Sequence, residues 1–336
     1  MNNDDSSIRS TLKLDANGFD KWINEMQNTP IEAVNANDSM LLKVIGGFRK
    51  KNLIIFSAPS GAGKTAFMIQ EAVNLAYKHN KRVLYASIEQ ETADIAKMLV
   101  SCRTGVYRGK IWDERFLTKV DKDAIASMRN SPQTANLVVC RLRMDPNSIN
   151  EVFNAALING CDYIFFDYIS IEAGLAQDNN YTRDDLLLKF MADEMKEAAT
   201  ECGISIITAT QVNNNNKRKE IPWVRDASFV RGSYGLIDKA DAAIIATPRA
   251  LFSDAENEFL EQFAASPTLP VNDTNLILDV YKNRNGKNGI KIFRSEHFEN
   301  FQYEDTVAVD ANKIISHEYD IAVTPDQIDD EISKLF

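Results

Sequence analysis

From about residue 40 onward the apolar positions of this chain fall into short unbroken runs, separated by longer stretches with helical spacing. The runs Leu53–Ser57, Val83–Ser87, Leu137–Cys140, Tyr163–Asp167, Ile204–Ala209, Ala242–Ala246 and Leu276–Tyr281 are mostly apolar and β-branched, as buried parallel strands tend to be. The clearest helix opens at Thr182, has Asp184 and Asp185 in its first turn, and continues through Leu187, Met191, Met195 and Ala198. It closes at Gly203, just after Cys202. Repeated strand–helix alternation predicts a mostly parallel sheet covered by helices on both faces, an α/β fold. There is no internal repeat, and the asparagine run at 213–216 is the one low-complexity patch.

Ahead of this pattern, residues 1–16 read as disordered. Phe19, Trp22, Ile23 and Met26 then mark a short amphipathic helix that ends near Thr29-Pro30. A helix of about a dozen residues is marginal alone, so this one must dock, either on its own domain or on a neighbouring subunit. The chain therefore divides into an N-terminal arm over 1–39, a core domain over 40–303 and an acidic tail over 304–336.

Composition narrows the class. With 336 residues, 44% hydrophobic and 26% charged, the chain can bury one large core and still carry extensions. The N-terminus is polar and no run of about 18 apolar residues occurs, so a soluble cytoplasmic protein with no membrane partner is expected. Cys102, Cys140, Cys161 and Cys202 stand singly, as small apolar residues of a reducing compartment do. His79, His297 and His317 form no ligand cluster, which speaks against zinc. The net charge of −10 argues at first against a nucleic-acid partner, but nine acidic residues and two lysines after Tyr303 place −7 of it in the tail. A body at −3 can still hold one basic channel.

One motif changes the picture. Ala58-Pro59-Ser60-Gly61-Ala62-Gly63-Lys64-Thr65 follows the predicted strand Leu53–Ser57 and opens a helical run near Thr65. Small residues let successive backbone N–H groups turn inward on a phosphate, and the helix dipole adds to the attraction. Ser60, Gly61, Ala62 and Gly63 then cradle ATP, Lys64 reaches its β- and γ-oxygens, and Thr65 binds Mg2+. Ala58 stands where such loops usually begin with glycine, but the flanking strand, the helix and Gly-Lys-Thr outweigh that departure. The metal also needs a carboxylate at the end of a neighbouring strand, and Asp167 supplies it after four apolar residues. Glu89 lies past the strand that follows the P-loop helix, where open parallel sheets bind ligands. Position alone leaves it open between a base that orients water and an acid at the start of the next helix.

Six segments then fall in a definite order: the loop with Ala58-Pro59-Ser60, Ser87-Ile88-Glu89-Gln90, Asp167-Tyr168-Ile169-Ser170, Thr210-Gln211-Val212-Asn213, Arg231-Gly232-Ser233 with Asp238-Lys239-Ala240-Asp241, and Lys282-Asn283-Arg284-Asn285-Gly286. Over roughly residues 40–300 they resemble the motor domain of DnaB-like replicative helicases. Asp-Tyr-Ile-Ser-Ile and Arg-Gly-Ser also resemble the helicase half of T7-type phage primase-helicases, and point to a phage origin.

The resemblance implies a RecA-like P-loop NTPase fold. The implied activity is that of an ATP-dependent DNA helicase, a hexameric homo-oligomeric ring moving 5′ to 3′ on single-stranded DNA. Glu89 becomes the catalytic carboxylate. Gln211 becomes the sensor of the γ-phosphate, since an amide can exchange hydrogen-bond partners as the phosphate leaves; the residues alone also allow a buried structural amide. Lys282 and Arg284 would reach the ATP held by the adjacent subunit, a contribution of about 10³–10⁵ in rate. The residues alone also allow a solvated basic hairpin tip.

DNA contacts are expected in the stretch Asn213–Arg231, which holds five basic and two acidic residues. Lys217, Arg218 and Lys219 offer phosphate contacts without base reading, and Arg231-Gly232 matches the family's backbone-binding turn. Gly232 stands where the family usually has an acidic residue, and Tyr234 replaces a small one. The bare alternative is a surface loop. Glu172–Tyr181 is a second candidate channel loop, and Phe293 and Phe298 are candidates for base stacking. The chain has room for neither the family's N-terminal collar nor a primase, and the Phe19–Met26 helix takes the place of the linker helix that docks on the next subunit. The tail ending in Leu335-Phe336 resembles tails that bind primase, polymerase or a loader, and can equally be a solubilising segment. Two readings compete with the helicase: a RecA- or KaiC-like ATPase that does not unwind, and a non-catalytic ring subunit. Lys64, Glu89 and Arg284 all being present argues against the second.

Overall fold

Runs that are apolar at every position can be strands only if both faces of the sheet are covered, and this is how the chain folds. The computed structural model describes residues 39–142, 148–167, 184–212, 233–264 and 273–311, with positions 20, 21, 23, 24, 225, 226 and 228. In it β1 (Leu53–Ala58), β2 (Val83–Ser87), β3 (Leu137–Arg141), β4 (Tyr163–Asp167), β5 (Ser205–Gln211) and β6 (Ala242–Pro248) run parallel in the order β3-β2-β4-β5-β1-β6. Beyond β6, β7 (Leu276–Asn283), β8 (Ile290–His297) and β9 (Gln302–Asp310) extend the same sheet antiparallel.

The described helices are α1 (Met40–Ile45), α2 (Lys64–Tyr77), α3 (Thr92–Thr104), α4 (Arg108–Ile111), α5 (Lys119–Asn130), α6 (Ser148–Ile158), α7 (Asp184–Cys202), α8 (Ser233–Lys239) and α9 (Asp254–Ala264). Side chains alternate across each strand, so two cores form. Ile54 and Phe56 face α1, α2 and α3, with Phe56 stacked on Phe67 of α2 at 3.9 Å between ring centres. Leu53 and Ile55 face the opposite way, onto α6, α7 and α8. The antiparallel end is covered by α9 through Phe259 and Leu260. One glycine sets a helix spacing: a Cβ on Gly235 of α8 would lie 2.6 Å from the Cβ of Lys189 in α7, so the two helices could not lie this close. Among the described residues no helix is long and apolar enough to cross a membrane.

Two features depart from the sequence reading. β8 is not foreseen, because Lys291, Arg294 and Glu296 interrupt its apolar pattern; all three are buried, and each meets an oppositely charged or amide side chain. The boundary expected at 304 also moves. Residues 304–310 belong to β9, where Asp305 pairs with Arg294 at 2.6 Å and Asp310 with Lys287 at 2.5 Å. Only six acidic residues and two lysines therefore follow Asp310. Residues 312–336 lie outside the described residues, as do Phe19, Trp22 and Met26 of the N-terminal helix, of which positions 20, 21, 23 and 24 are helical.

The buried charges of β8 predict a pH dependence. Glu71 of α2 and Glu296 of β8 are both pushed up to about 7 by burial, against the opposing pull of Arg294. Asn74 donates to Glu71 and Gln70 to Glu296, with Lys78 and Asp305 also facing the group. Between the ordinary value of 4.5 and about 7 the folded chain holds protons that the unfolded chain has lost, so stability falls as pH rises through that window. Glu71→Gln should therefore melt above the parent chain at pH 8, with the gap closing towards pH 4.5. Melting curves that coincide at every pH would show that Glu71 is ionised in the folded chain.

Candidate nucleotide site

The C-terminal ends of the parallel strands line up. Ala58 of β1 pairs with Gln211 of β5, and Ser87 of β2 pairs with Asp167 of β4. Ligands of such sheets bind at this edge. Beyond Ala58 the chain makes a tight turn, with Gly61 at φ 75° and Gly63 at φ 91°, and Ala62 N–H donates to the Pro59 carbonyl at 3.2 Å. The positive φ at Gly63 calls for glycine, and a Cβ there would come within 2.7 Å of the Phe298 ring, which would have to swing aside. α2 starts at Lys64, so the backbone N–H groups of its first turn point out of the helix towards the loop, as an anion site needs. Ser60 and Gly61 are exposed at the rim, and Ala62 is buried beneath it.

Lys64 Nζ folds back over the loop, 3.4 Å from the Ala58 carbonyl and 3.3 Å from that of Pro59. Burial lowers its pKa, while the charges of Asp167 and Glu89 pull the other way, so these three groups share one electrostatic site. Thr65 Oγ1 donates to Asp167 Oδ2 at 3.1 Å, and the Tyr85 hydroxyl donates to the same oxygen at 2.8 Å. Asp167 Oδ1 is buried with no hydrogen-bond partner among the described residues, and burial raises the carboxyl's pKa despite those two bonds. A leftover carboxylate oxygen beside the Thr65 hydroxyl suits a hard divalent cation or its water. Tyr85, which steers this carboxylate, escapes a reading of the sequence because it sits in a strand with only apolar neighbours.

Ser87 Oγ accepts the N–H groups of Glu89 at 3.3 Å and Gln90 at 3.0 Å, which turns the chain out of β2 and leaves Glu89 exposed at the same edge. The N-cap of α3 is Glu91, not Glu89.

Lys282 and Arg284 lie elsewhere. Lys282 is in β7 rather than past it, and its Nζ donates to the carbonyls of Ile237 at 2.7 Å and Asp238 at 2.9 Å. Arg284 Nη2 donates to the Asp238 carbonyl at 2.8 Å, and Nη1 lies 3.3 Å from Asp241 Oδ1. Asp241 also accepts the Leu53 N–H at 2.8 Å, which places the pair at the N-terminal end of β1. About 17 Å of strand separates that end from the P-loop.

Of the expected DNA contacts, Lys217, Arg218, Lys219, Arg231 and Gly232 lie outside the described residues, as does Glu172–Tyr181; Tyr234 is the second residue of α8. Two expectations are corrected. Phe293 cannot stack on a base, because it is fully buried against Phe259 at 4.9 Å. Arg225, counted among the basic residues of the 213–231 stretch, is buried in ion pairs and offers nothing to a phosphate.

A glycine-turned phosphate loop, a strand-end aspartate bonded to its threonine, and a parallel sheet extended by antiparallel strands define a P-loop NTPase of RecA-like architecture. The family described as the DnaB-like helicase C terminal domain matches residues 34–303, and the chain belongs to it. Nucleotide binding comes with that membership.

The chain is 24% identical over 314 residues to the "SPbeta prophage-derived uncharacterized protein YorI" of Bacillus subtilis, covering 86% of this chain and 60% of that protein. It is 25% identical over 255 residues to the "Probable replicative DNA helicase" of Trieres chinensis, covering 72% of this chain and 51% of that one. It thus spans only 51% to 60% of the length of these relatives. Among solved structures, that of a DnaB-like replicative helicase and its interactions with primase superposes with a TM-score of 0.64 at 18% identity, over 87% of this chain and 68% of that one.

Proposed function

We propose that this chain is the motor of a ring-forming replicative DNA helicase that turns ATP hydrolysis into 5′ to 3′ movement along single-stranded DNA. The prophage origin of one relative supports a phage type. The observation that supports the ring motor best is the separation of the two halves of the site. The cradle lies at one end of β1 and the Lys282–Arg284 cations at the other, so a complete pocket needs the cradle of one copy and the cations of the next.

In that pocket Ser60 to Gly63 and Lys64 bind the phosphates of ATP, and Thr65 and Asp167 would hold Mg2+, which would supply positive charge against the transferred phosphoryl group. Glu89 takes the proton of the attacking water. Gln211, beside Ala58, senses the γ-phosphate and passes its state to the residues that follow, and Phe298 lies against Gly63 on the loop's flank, where the base can stack. Lys217, Arg218, Lys219, Arg231, Gly232 and Tyr234 face DNA. The Phe19–Met26 helix docks on a neighbouring copy, and the exposed apolar side chains Tyr107, Trp112, Phe116 and Val120 around α4 and the start of α5 are candidates to receive it. The acidic residues after Asp310 are left for a primase, polymerase or loader.

The test is ATPase activity with and without single-stranded DNA, and forked-duplex unwinding, on the purified chain. DNA-stimulated hydrolysis with strand separation is expected; hydrolysis without unwinding would favour a RecA- or KaiC-like role. Replacing Lys217, Arg218 and Lys219 with alanine should weaken DNA binding and flatten the slope of log affinity against log salt by about 2, with basal ATPase kept. An unchanged slope would place the DNA contacts elsewhere.

A further inference from the structure

Arg225 lies between Gln211, at the nucleotide edge, and Ser233, the first residue of α8. Its Nη1 is 2.5 Å from Glu256 Oε1 and 3.1 Å from Asp279 Oδ2, and its Nη2 is 3.0 Å from Glu256 Oε2. Lys291 Nζ joins the same two carboxylates, 2.8 Å from Glu256. Glu256 belongs to α9, Asp279 to β7 and Lys291 to β8. Two cations and two anions, each under a tenth exposed, thus close a neutral cluster beneath α9. Burial alone would raise Glu256, but Lys291 and Arg225 outweigh it and hold the carboxyl at about 2, so this carboxylate stays ionised at neutral pH.

Clusters of this kind add little net stability, because taking four charges out of water cancels most of their attraction. What a two-pronged guanidinium does supply is a fixed position. β7 is paired on both sides, by β6 and β8, and continues directly from Asp279 to Lys282 and on to Arg284. At the other end of the stretch, Val212 N–H donates to the Ala58 carbonyl at 3.2 Å, at the root of the P-loop. The stretch holding Lys217, Arg218 and Lys219 therefore runs between two anchors. One is the chain's own P-loop, and the other is the strand that bears the cations.

We infer that Arg225 is a positioning residue: it fastens the DNA-facing stretch to β7, so that nucleotide events at either interface of a subunit are conveyed to DNA. The inference rests on the helicase reading. Arg225→Ala alone would leave two buried carboxylates facing one lysine and put folding at risk. The informative variant is Arg225→Met with Glu256→Gln, which cuts the tether and leaves Asp279 paired with Lys291.

The full chain is assayed for ATPase activity with and without oligo(dT), for oligo(dT) affinity across salt, and for melting. The double variant should keep DNA-independent ATPase and DNA affinity within about twofold, and melt within a few degrees of the parent, yet lose about tenfold of the stimulation by DNA. Arg225→Lys, which keeps the charge but not the fork, should fall in between. A parent that responds to oligo(dT) together with a double variant that responds equally would overturn the tether alone. Parallel loss of basal ATPase and melting temperature would overturn it in favour of a purely structural cluster. A parent indifferent to oligo(dT) would remove both this inference and the helicase reading.

Discussion

Lys64→Ala is expected to lower ATP hydrolysis by at least about 10²–10³-fold, the range for losing one aimed donor to developing charge, while leaving the chain folded. The fold should survive because Lys64 opens α2 without belonging to the core, and α2 keeps the bond from Phe67 N–H to the Gly63 carbonyl at 2.9 Å. Burial already disfavours the charged amine, so its removal relieves a cost that only a bound phosphate repays. The expected pattern is a melting temperature equal to or above that of the parent, with nucleotide turnover gone. Full turnover in this variant would mean that the loop at 58–65 is not the catalytic cradle.

Arg284→Ala is expected to cut hydrolysis by about 10³–10⁵-fold, the range for a cation supplied from outside the phosphate cradle. Asp241 keeps Lys196 at 2.6 Å and the Leu53 N–H, so the local structure has other supports. Mixing discriminates further. The Arg284→Ala chain has an intact cradle and the Lys64→Ala chain has intact cations, so two nearly inactive proteins should recover part of the activity when combined. Mixed with the parent chain, Arg284→Ala should depress activity more than in proportion to its share. If the two variants never complement, and loss with the parent is strictly proportional, each pocket is built within a single chain.

How much of this can be read from the residues follows from where charge is buried. β2 and β4 fall where the apolar runs place them, and β1, β5, β6 and β7 differ by a residue or two, because these strands are apolar on both faces. The P-loop and Asp167 are legible for a related reason: each follows directly from a buried strand, so spacing along the chain translates into position at the sheet edge. β8 and β9 are not legible. Lys291, Arg294, Asp305 and Asp310 look like surface charges until their partners are known: Glu256 of α9 and Asp279 of β7 for Lys291, each other across the β8–β9 pair for Arg294 and Asp305, and Lys287 of the β7–β8 turn for Asp310. Arg225 misleads in the same way, since nothing near it in sequence foretells Glu256 or Asp279. Asp241 stands out in the sequence only as part of a motif, yet it ties together Leu53, Lys196 and Arg284.

The opposite placement of cradle and cations along β1 has a consequence for assembly size. Contacts that join the head of one molecule to the tail of the next have a direction, and they leave unmatched ends unless the row closes on itself. If Lys282 and Arg284 complete the pocket of the next copy as proposed, an open row has one cradle with no donor and one donor with no cradle, and so one working pocket fewer than it has members. Closure makes the two numbers equal, and turnover per molecule should rise at the concentration where the last gap shuts.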